Sequence, residues 1–225
     1  GTSEAQLGVA LARHPRESFK LQTKVAPTAD PREFERNLAE SFRRMQVDRI
    51  DLFAFHGVND RAHAAWTIRP GGCYEVADRL RREGKIGAIG FSTHAPCALI
   101  EELIETDRFD YVNLHHYYIF QDNRPAVSAA RRHDMGVFII SPNDKGGRLY
   151  EPTPTLVDLC RPLAPMAFND LWCLAQDDVH TLSIGAARPS DFDVHVAALE
   201  ELGRAEELLS PIVARLEERY RDRLG

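Results

Sequence analysis

The sequence has 225 residues, of which 44% are hydrophobic and 28% are charged, and it contains only 14 Gly and 13 Pro. This composition excludes collagen-like, coiled-coil and disordered proteins, and the length predicts a single domain over residues 1–225. The 28 Lys and Arg are outnumbered by 34 Asp and Glu, giving a net charge of -6. No basic run is long enough to follow a phosphate backbone, so a nucleic-acid partner is not expected.

Neither a membrane nor a secreted location is indicated by the sequence. No apolar stretch approaches the roughly 18 residues that a membrane-spanning helix needs, and the first residues, GTSEAQLGVALARH, lack the pattern of a signal peptide. Cys73, Cys97, Cys160 and Cys173 form no C-x-x-C pair, which argues against a zinc site or a disulfide framework. We therefore expect a cytoplasmic protein with no metal ion and no membrane partner.

Short apolar runs alternate along the chain with amphipathic stretches, an order typical of βα units that build a parallel sheet. Six of these runs are rich in β-branched or aromatic side chains and predict strands. They are Phe19–Val25, Ile50–His56, Ile86–Thr93, Tyr111–His116, Val137–Ser141 and Thr181–Gly185.

Amphipathic helices are predicted between these strands. The clearest follows Asp30, because Asp30 is a typical N-cap residue, Pro31 suits the first turn, and apolar side chains then recur at spacings of three and four residues. Further helices are predicted at Glu4–Arg13, Tyr74–Glu83, Cys97–Glu105, Ala126–His133, Phe192–Leu202 and Ala205–Leu224, the last with a kink or a new start at Pro211.

A parallel sheet of this kind is either open, as in the Rossmann fold, or closed as a barrel. A Rossmann sheet carries a glycine-rich turn after its first strand, whereas Val25 is followed by APTADP. A (β/α)8 barrel needs eight strands and typically about 250 residues, and six strands alone would leave two unpaired edges. We therefore expect an α/β fold, a (β/α)8 barrel of the TIM type that lacks its first two strands in this chain.

Polar residues collect at the ends of the predicted strands, where such barrels have their active sites. Lys24 and His56 end neighbouring strands, which lie about 4.8 Å apart, so their side chains are expected to share one small volume. An imidazole that donates a hydrogen bond to a carbonyl oxygen, beside an ammonium that lowers the pKa of a nearby acid, suits carbonyl chemistry. Taken alone, a lysine here is more often solvated and a histidine more often structural.

Seven segments, taken in order, resemble the aldo-keto reductase family. They span nearly the whole chain and read GTSEAQLG, LQTKV, NLAESFRRMQVDRIDLFAFH, REGKIGAIGFSTH, YVNLHHYY, GVFIISPNDKGGRL and TLSIGAARPSDFD. Members of this family bind a nicotinamide nucleotide across the mouth of the barrel without a Rossmann fold. The resemblance implies an NADP-dependent oxidoreductase that reduces an aldehyde or ketone, or oxidises the matching alcohol, by hydride transfer.

The family uses an Asp, a Tyr, a Lys and a His for acid–base work. By resemblance, Lys24 and His56 are the last two of these residues. The Tyr belongs to a Tyr-Gly-x-Ser-Glu pattern that corresponds here to Gly1-Thr2-Ser3-Glu4, which places it immediately before Gly1 and the Asp earlier still. This agrees with the expectation that two strands are absent.

The resemblance also implies which residues bind the cofactor, NADPH or NADP+. Ser92, Thr93 and Asn113 take the positions that hold the nicotinamide carboxamide. Ile140, before Ser141 and Pro142, replaces an aromatic residue that stacks on the ring. The loop Asn143–Leu149 corresponds to the segment that wraps the pyrophosphate. Its glycines allow close backbone approach, and Lys145 or Arg148 neutralises charge. The cofactor contacts expected in and just before this loop are Ser141, Pro142, Lys145, Gly146, Gly147 and Leu149.

The segment after the last strand is expected to bind the adenosine end. Gly185 and Ala186 precede Arg188, whose guanidinium would meet a 2′-phosphate and so favour NADPH over NADH. Asp191 and Asp193 follow in the same turn and are acidic, as helix-capping residues often are. By resemblance, His195 is expected near the adenine. The candidates for the rim of the site that binds the small carbonyl or alcohol substrate are Trp66, His115, His116 and Tyr117.

Two other functions fit the same residues. Lys24 would serve as the amine nucleophile of a Schiff-base barrel lyase if burial lowered its pKa. A nucleotide-binding pseudoenzyme would retain the cofactor site without the proton donor, as the sequence from Gly1 onward reads. Substrate identity is not indicated by the residues.

Overall fold

The computed structural model describes the backbone of residues 2–224, and side chains as far as Asp222. Gly1, the residue that corresponds to the Gly of the Tyr-Gly-x-Ser-Glu pattern, lies outside the described residues. Contacts divide the chain into two compact units. The N-terminal unit contains the residues up to Asn113 together with Ala129–Gly136, and the C-terminal unit contains Leu114–Ser128 and the residues from Val137 onward. A single domain over the whole chain stays a prediction.

The described residues form six strands and ten α-helices, with one or two of the helices after each strand. The strands are β1 Gln22–Val25, β2 Ile50–Phe55, β3 Ile86–Ser92, β4 Tyr111–Leu114, β5 Gly136–Ile140 and β6 Thr181–Ser183. The helices are α1 Thr2–Leu11, α2 Pro31–Met45, α3 Arg61–Ile68, α4 Cys73–Arg82, α5 Cys97–Ile104, α6 Arg124–Arg132, α7 Pro154–Cys160, α8 Pro165–Leu174, α9 Asp193–Glu200 and α10 Ala205–Leu224.

The strands follow one another in the sheet in the order in which they occur in the chain. The pairs β1–β2, β2–β3, β3–β4 and β5–β6 are all parallel. Each parallel connection carries one or more helices, as crossover connections require. The predicted α/β class, with six parallel strands in sequential order, is confirmed.

In the N-terminal unit, α2 covers one face of the sheet. Its N-cap is Asp30, whose carboxylate accepts the amide hydrogen of Arg32, as the sequence predicts. Phe34 on this helix is fully buried and its ring stacks on Phe55, with centroids 5.3 Å apart. It also meets Phe53 edge to face, at 5.9 Å. Because side chains alternate along a strand, the residues between and beyond these phenylalanines project to the opposite face.

The C-terminal unit has its own apolar core. Helix α8 is buried on most sides, and α7 and α10 pack against it. The core residues are Cys160, Phe168 and Ile212 in one cluster and Leu171, Ala205 and Leu208 in a second. Within this helix, Asn169 and Asp170 are also buried, although their side chains are polar.

The strand boundaries either match the predicted ones or differ from them by up to three residues. β1 begins at Gln22 rather than Phe19, because side-chain hydrogen bonds occupy the segment before it. The guanidinium of Arg16 donates to the carbonyl of Phe19 at 3.2 Å, and the Asp51 carboxylate accepts the amide hydrogen of Leu21 at 2.8 Å. β4 ends at Leu114, two residues before the predicted end.

The helix predictions were incomplete. α3, α7 and α8 lie in segments for which the sequence predicted no helix. The helix predicted over Phe192–Leu202 is instead α9, flanked by short 3-10 turns at Pro189–Phe192 and Leu202–Arg204. The prediction of a new helix start at Pro211 was wrong, since α10 continues through this residue. Burial of Ile212 immediately after the proline holds this helix in place.

Candidate functional site

Lys24 and His56 lie on the same face of the sheet, at the carboxyl ends of neighbouring strands. Lys24 is paired in register with Ala54, and His56 follows Ala54 by two residues, so both side chains project to the face opposite Phe55. The amide of His56 donates to the carbonyl of Val25 at 2.9 Å, which continues the ladder beyond β2. The predicted convergence of these two side chains on one end and one face of the sheet is confirmed.

The environment shifts both groups towards their neutral forms. Burial lowers the pKa of the half-buried Lys24 ammonium. Burial also lowers the pKa of His56, and the positive charge of Lys24 lowers it further. His56 is therefore a neutral imidazole at pH 7, able to donate one hydrogen bond, beside a cation.

A cavity of about 620 Å³ adjoins this pair, and Lys24, His56 and Glu4 all line it. Glu4, on α1, is the residue that sequence reasoning missed. Its carboxylate accepts hydrogen bonds from the hydroxyl of Thr23 and from the guanidinium of Arg44, both at 2.7 Å. Although burial opposes it, these hydrogen bonds lower the pKa of Glu4. The carboxylate ties α1 to β1 at the residue next to Lys24.

Ser92 and Asn113 are paired in register on β3 and β4, and both are buried. The register also places Ser92 level with His56, because Phe91 pairs with Phe55. The Ser92 hydroxyl accepts the amide hydrogen of Gly57 at 3.1 Å, which leaves its own proton to donate. Among the described residues, the Asn113 amide nitrogen has no hydrogen-bond partner. These two donors lie on the same face as Lys24.

Thr93 occupies a different position from its neighbour Ser92. Its hydroxyl donates to the carbonyl of Val58 at 2.7 Å and accepts the amide hydrogen of Ala95 at 2.9 Å. Both hydrogen bonds fix the turn after β3. A cofactor contact of the Thr93 side chain stays a prediction, and the structure gives this hydroxyl a structural role.

In the C-terminal unit, the loop that follows β5 is tightly folded. Ser141 has a φ of 53°, in the left-handed region, and turns the chain away from the strand. Within the loop, the amide of Leu149 donates to the carbonyl of Asn143 at 2.7 Å. A Cβ atom on Gly146 would lie 1.9 Å from the carbonyl oxygen of Pro142, so only glycine fits there. The glycine-rich loop is therefore closed by hydrogen bonds within itself, and Lys145 is exposed at its surface.

His195 lies inside the C-terminal unit and is buried. Its Nδ1 bonds to a carboxylate oxygen of Asp170 and its Nε2 lies 3.2 Å from the amide nitrogen of Asn143. Because a carboxylate only accepts and an amide nitrogen only donates, Nδ1 carries the ring proton and Nε2 accepts. Both ring nitrogens therefore have protein partners, and the predicted contact of His195 with adenine stays a prediction.

Arg188 is largely exposed and pairs with Asp191. Two guanidinium nitrogens donate to one carboxylate oxygen, at 3.3 and 3.2 Å. The other oxygen accepts the amide hydrogens of Ala187 and Arg188, at 2.9 and 3.0 Å. Asp191 thus caps the turn after Gly185 and Ala186, the capping role that the sequence offered for it, and it also neutralises the guanidinium expected to bind a 2′-phosphate.

The candidates for the substrate rim are more buried than a rim requires. His115 and Tyr117 are buried and bond to each other, and Tyr117 also donates to the carbonyl of Ile140. His116 is fully buried and its Nε2 contacts Gln176 at 3.0 Å. Trp66 is half-buried in the N-terminal unit, edge to face with a neighbouring histidine. A substrate contact of these residues stays a prediction.

Metal ligation and membrane crossing have no counterpart in the part of the chain that the structure describes. No group of three or more His, Cys, Asp or Glu side chains in it is arranged to hold a metal ion. No helix among the described residues has the length and apolar character needed to cross a membrane.

Comparison with known families identifies the chain. The family model described as "Aldo/keto reductase family" matches residues 1–155. The chain belongs to this family. It is therefore an NAD(P)H-dependent oxidoreductase, as the sequence predicts, and both residues of the Lys24–His56 pair lie within the matched region. No match was found among curated protein sequences.

Solved structures place this aldo/keto reductase in the barrel fold. The holo form of aldo-keto reductase AKR11C1 from Bacillus halodurans is 21% identical, with a TM-score of 0.73 over 91% of this chain and 77% of that chain. An aldo/keto reductase from Klebsiella pneumoniae, solved with NADP and acetate, is 21% identical, with a TM-score of 0.71 over 92% of this chain and 76% of that one. The expectation of a partial (β/α)8 barrel is confirmed.

Proposed function

We propose that this chain binds NADPH and takes part in the reduction of a small aldehyde or ketone, or in the oxidation of the matching alcohol. One observation carries the proposal: a neutral imidazole and an ammonium lie on one face of the sheet at the carboxyl ends of adjacent strands, beside a cavity. In barrels of this class, that end of the strands is where catalysis takes place.

The residues present fit a nicotinamide nucleotide. The amide nitrogen of Asn113, buried without a partner among the described residues, and the hydroxyl proton of Ser92 are two donors suited to a carboxamide oxygen. On the loop after β5, the exposed Lys145 supplies positive charge suited to phosphates. When bound, the reduced nicotinamide supplies the hydride. The NADP named with the Klebsiella structure agrees with this choice of cofactor.

Lys24 and His56 have separate roles in this proposal. His56, held neutral, donates a hydrogen bond to the carbonyl oxygen of the substrate and orients it. Lys24 stabilises the anionic form of the proton donor and so lowers its pKa. The family resemblance assigns that donor to the Tyr expected immediately before Gly1.

Two assays of Lys24→Met test this division of roles. We expect NADPH binding to residues 1–225, followed by fluorescence, to be almost unchanged, because the donors that bind the nucleotide are elsewhere. In a chain that includes the position before Gly1, reduction of an activated aromatic aldehyde should fall by about 10²- to 10⁴-fold in kcat, the usual contribution of acid–base catalysis. Lys20→Met, at an exposed lysine before β1, is the matched control and should leave both measurements unchanged.

Full turnover by Lys24→Met would show that the proton arrives by another route. The lowered pKa of Lys24 is also a property of Schiff-base lysines, so borohydride is added with the carbonyl compound in a parallel experiment. Covalent trapping at Lys24 would favour the lyase. Tight NADPH binding with no reduction by the chain that carries the Tyr would favour the nucleotide-binding pseudoenzyme.

A further inference from the structure

Asp170, His195 and Asn143 form a chain of hydrogen bonds that links two helices to the loop after β5. Asp170 is on α8, His195 is on α9, and Asn143 is the third residue of the loop Ser141–Leu149, here called the phosphate loop. The side chains of Asp170 and His195 are 1% and 9% exposed. No step of the proposed reaction uses this buried pair.

Side chains of α8 and α9 form hydrogen bonds to the phosphate loop. Asn169, next to Asp170, donates from its side chain to the carbonyl of Pro142 at 3.2 Å. His195 accepts from Asn143, the next residue of the loop. The adjacent polar residues of α8 therefore anchor adjacent residues of the loop, one directly and one through the imidazole.

Stability alone does not account for a buried carboxylate at this position. Burial raises the pKa of Asp170, while the hydrogen bond from His195 opposes that rise. One oxygen of Asp170 has no hydrogen-bond partner among the described residues. Replacing such polar pairs by apolar residues often leaves a protein equally stable, so a fixed geometry is the better reason for the pair.

We propose that Asp170 and His195 are positioning residues that hold Asn143 and thereby set the phosphate loop for nucleotide binding. Asp170 fixes the tautomer and the orientation of the His195 ring, and the ring in turn orients the Asn143 side chain. This inference rests on the proposed binding of NADPH to the loop. It assigns His195 a contact with the loop rather than a direct contact with adenine.

The loop itself provides a reporter that needs no nucleotide. Lys145 and Arg148 are exposed trypsin sites within it. If the chain of hydrogen bonds holds the loop, cleavage after Lys145 in the free protein should accelerate about three- to tenfold in Asp170→Leu, His195→Asn and Asn143→Ala. Asp170→Asn keeps an acceptor for the Nδ1 proton and should behave as wild type.

NADPH affinity provides the second measurement. The same three variants should bind NADPH about three- to tenfold more weakly, and the double variant Asp170→Leu/Asn143→Ala should be no weaker than either single one, because all act through one chain of contacts. Asp158→Asn, an exposed carboxylate on α7 paired with Arg161, is the control and should change neither measurement.

Two results would overturn the inference. If melting temperature falls in Asp170→Leu while cleavage and NADPH affinity stay at wild-type values, the pair serves only the core. If Asn143→Ala, a half-buried loop variant, leaves both measurements unchanged, the last link of the chain carries no function. If the wild-type chain does not bind NADPH, the proposed function is rejected instead. The trypsin cleavage rates would still test whether Asp170 and His195 hold the phosphate loop in place.

Discussion

At the residue scale, the Arg188 side chain already has a protein partner where a phosphate is expected. The sequence predicts that its guanidinium meets a 2′-phosphate. In the structure the same guanidinium bonds to Asp191, and the Asp191 carboxylate also accepts two backbone amide hydrogens. Hydrogen bonds from the amides of Ala187 and Arg188 lower the pKa of Asp191, so the carboxylate is ionised at pH 7. A phosphate would have to share or displace this partner.

Arg188→Ala tests whether the guanidinium recognises NADPH. We expect the affinity for NADPH to fall about tenfold, as for the loss of a charge-assisted hydrogen bond, and the affinity for NADH to stay nearly unchanged. The measurement is a fluorescence titration of both nucleotides. Arg161→Ala, which removes another exposed Arg–Asp pair, is the control. Equal losses for the two nucleotides would mean that Arg188 supports the turn.

At the element scale, the phosphate loop depends on close backbone packing. A side chain at Gly146 would overlap the carbonyl of Pro142 and come within 3.1 Å of the Asn169 amide nitrogen. The loop must therefore shift to accept even a methyl group. At Gly203, by contrast, an added Cβ atom would meet nothing within 4 Å, so a methyl group fits there without any movement.

Gly146→Ala is expected to weaken NADPH binding by about tenfold or more and to accelerate trypsin cleavage after Lys145, because the carbonyl of Pro142 must move to admit the methyl group. Gly203→Ala is the matched control, with both measurements expected at wild-type values. If Gly146→Ala binds NADPH with wild-type affinity, the loop tolerates the shift, and its exact conformation is not needed for nucleotide binding.

At the scale of the whole molecule, Asp51 makes the stability of the protein depend on pH. Although burial alone would raise the pKa of Asp51, hydrogen bonds from the Leu21 amide and the Arg16 guanidinium lower it below its ordinary value. A carboxyl with a depressed pKa in the folded state stabilises the protein above the unfolded pKa of about 3.9 and loses that effect as pH falls through the folded pKa.

Asp51→Asn should therefore reduce the free energy of unfolding by about 1–3 kcal/mol at pH 7, the cost of losing hydrogen bonds to a charged group. The difference from wild type should shrink as the pH falls below about 4. Urea unfolding at a series of pH values measures both effects. Asp48→Asn, at an exposed carboxyl just before β2, should show no comparable loss. If the loss of unfolding free energy in Asp51→Asn does not vary with pH, the charge of the Asp51 carboxylate is not its cause.

The sequence by itself determined the βα order, the helix after Asp30, and the placement of Lys24 and His56 at strand ends. These features depend on local periodicity and on the geometry of parallel strands, both of which can be read from a short segment. Family membership was likewise recognisable, because seven segments occur in one order. The contacts of Glu4 on α1 were not, because its partners Thr23 and Arg44 are distant in sequence.

Only the tertiary structure decided what the buried polar groups do. Helix α8 shows no polar face in the sequence because it is buried on most sides, so nothing local marks Asp170 as the partner of His195, 25 residues further along the chain. Thr93 is a second case, because the sequence assigned its hydroxyl to a cofactor, whereas in the structure that hydroxyl donates to the carbonyl of Val58, 35 residues earlier in the chain. The sequence shows which side chains can donate or accept hydrogen bonds, but the packing of distant segments decides which partner each one has. Burial of such a group without a partner costs free energy, so the folded protein provides one for most of them.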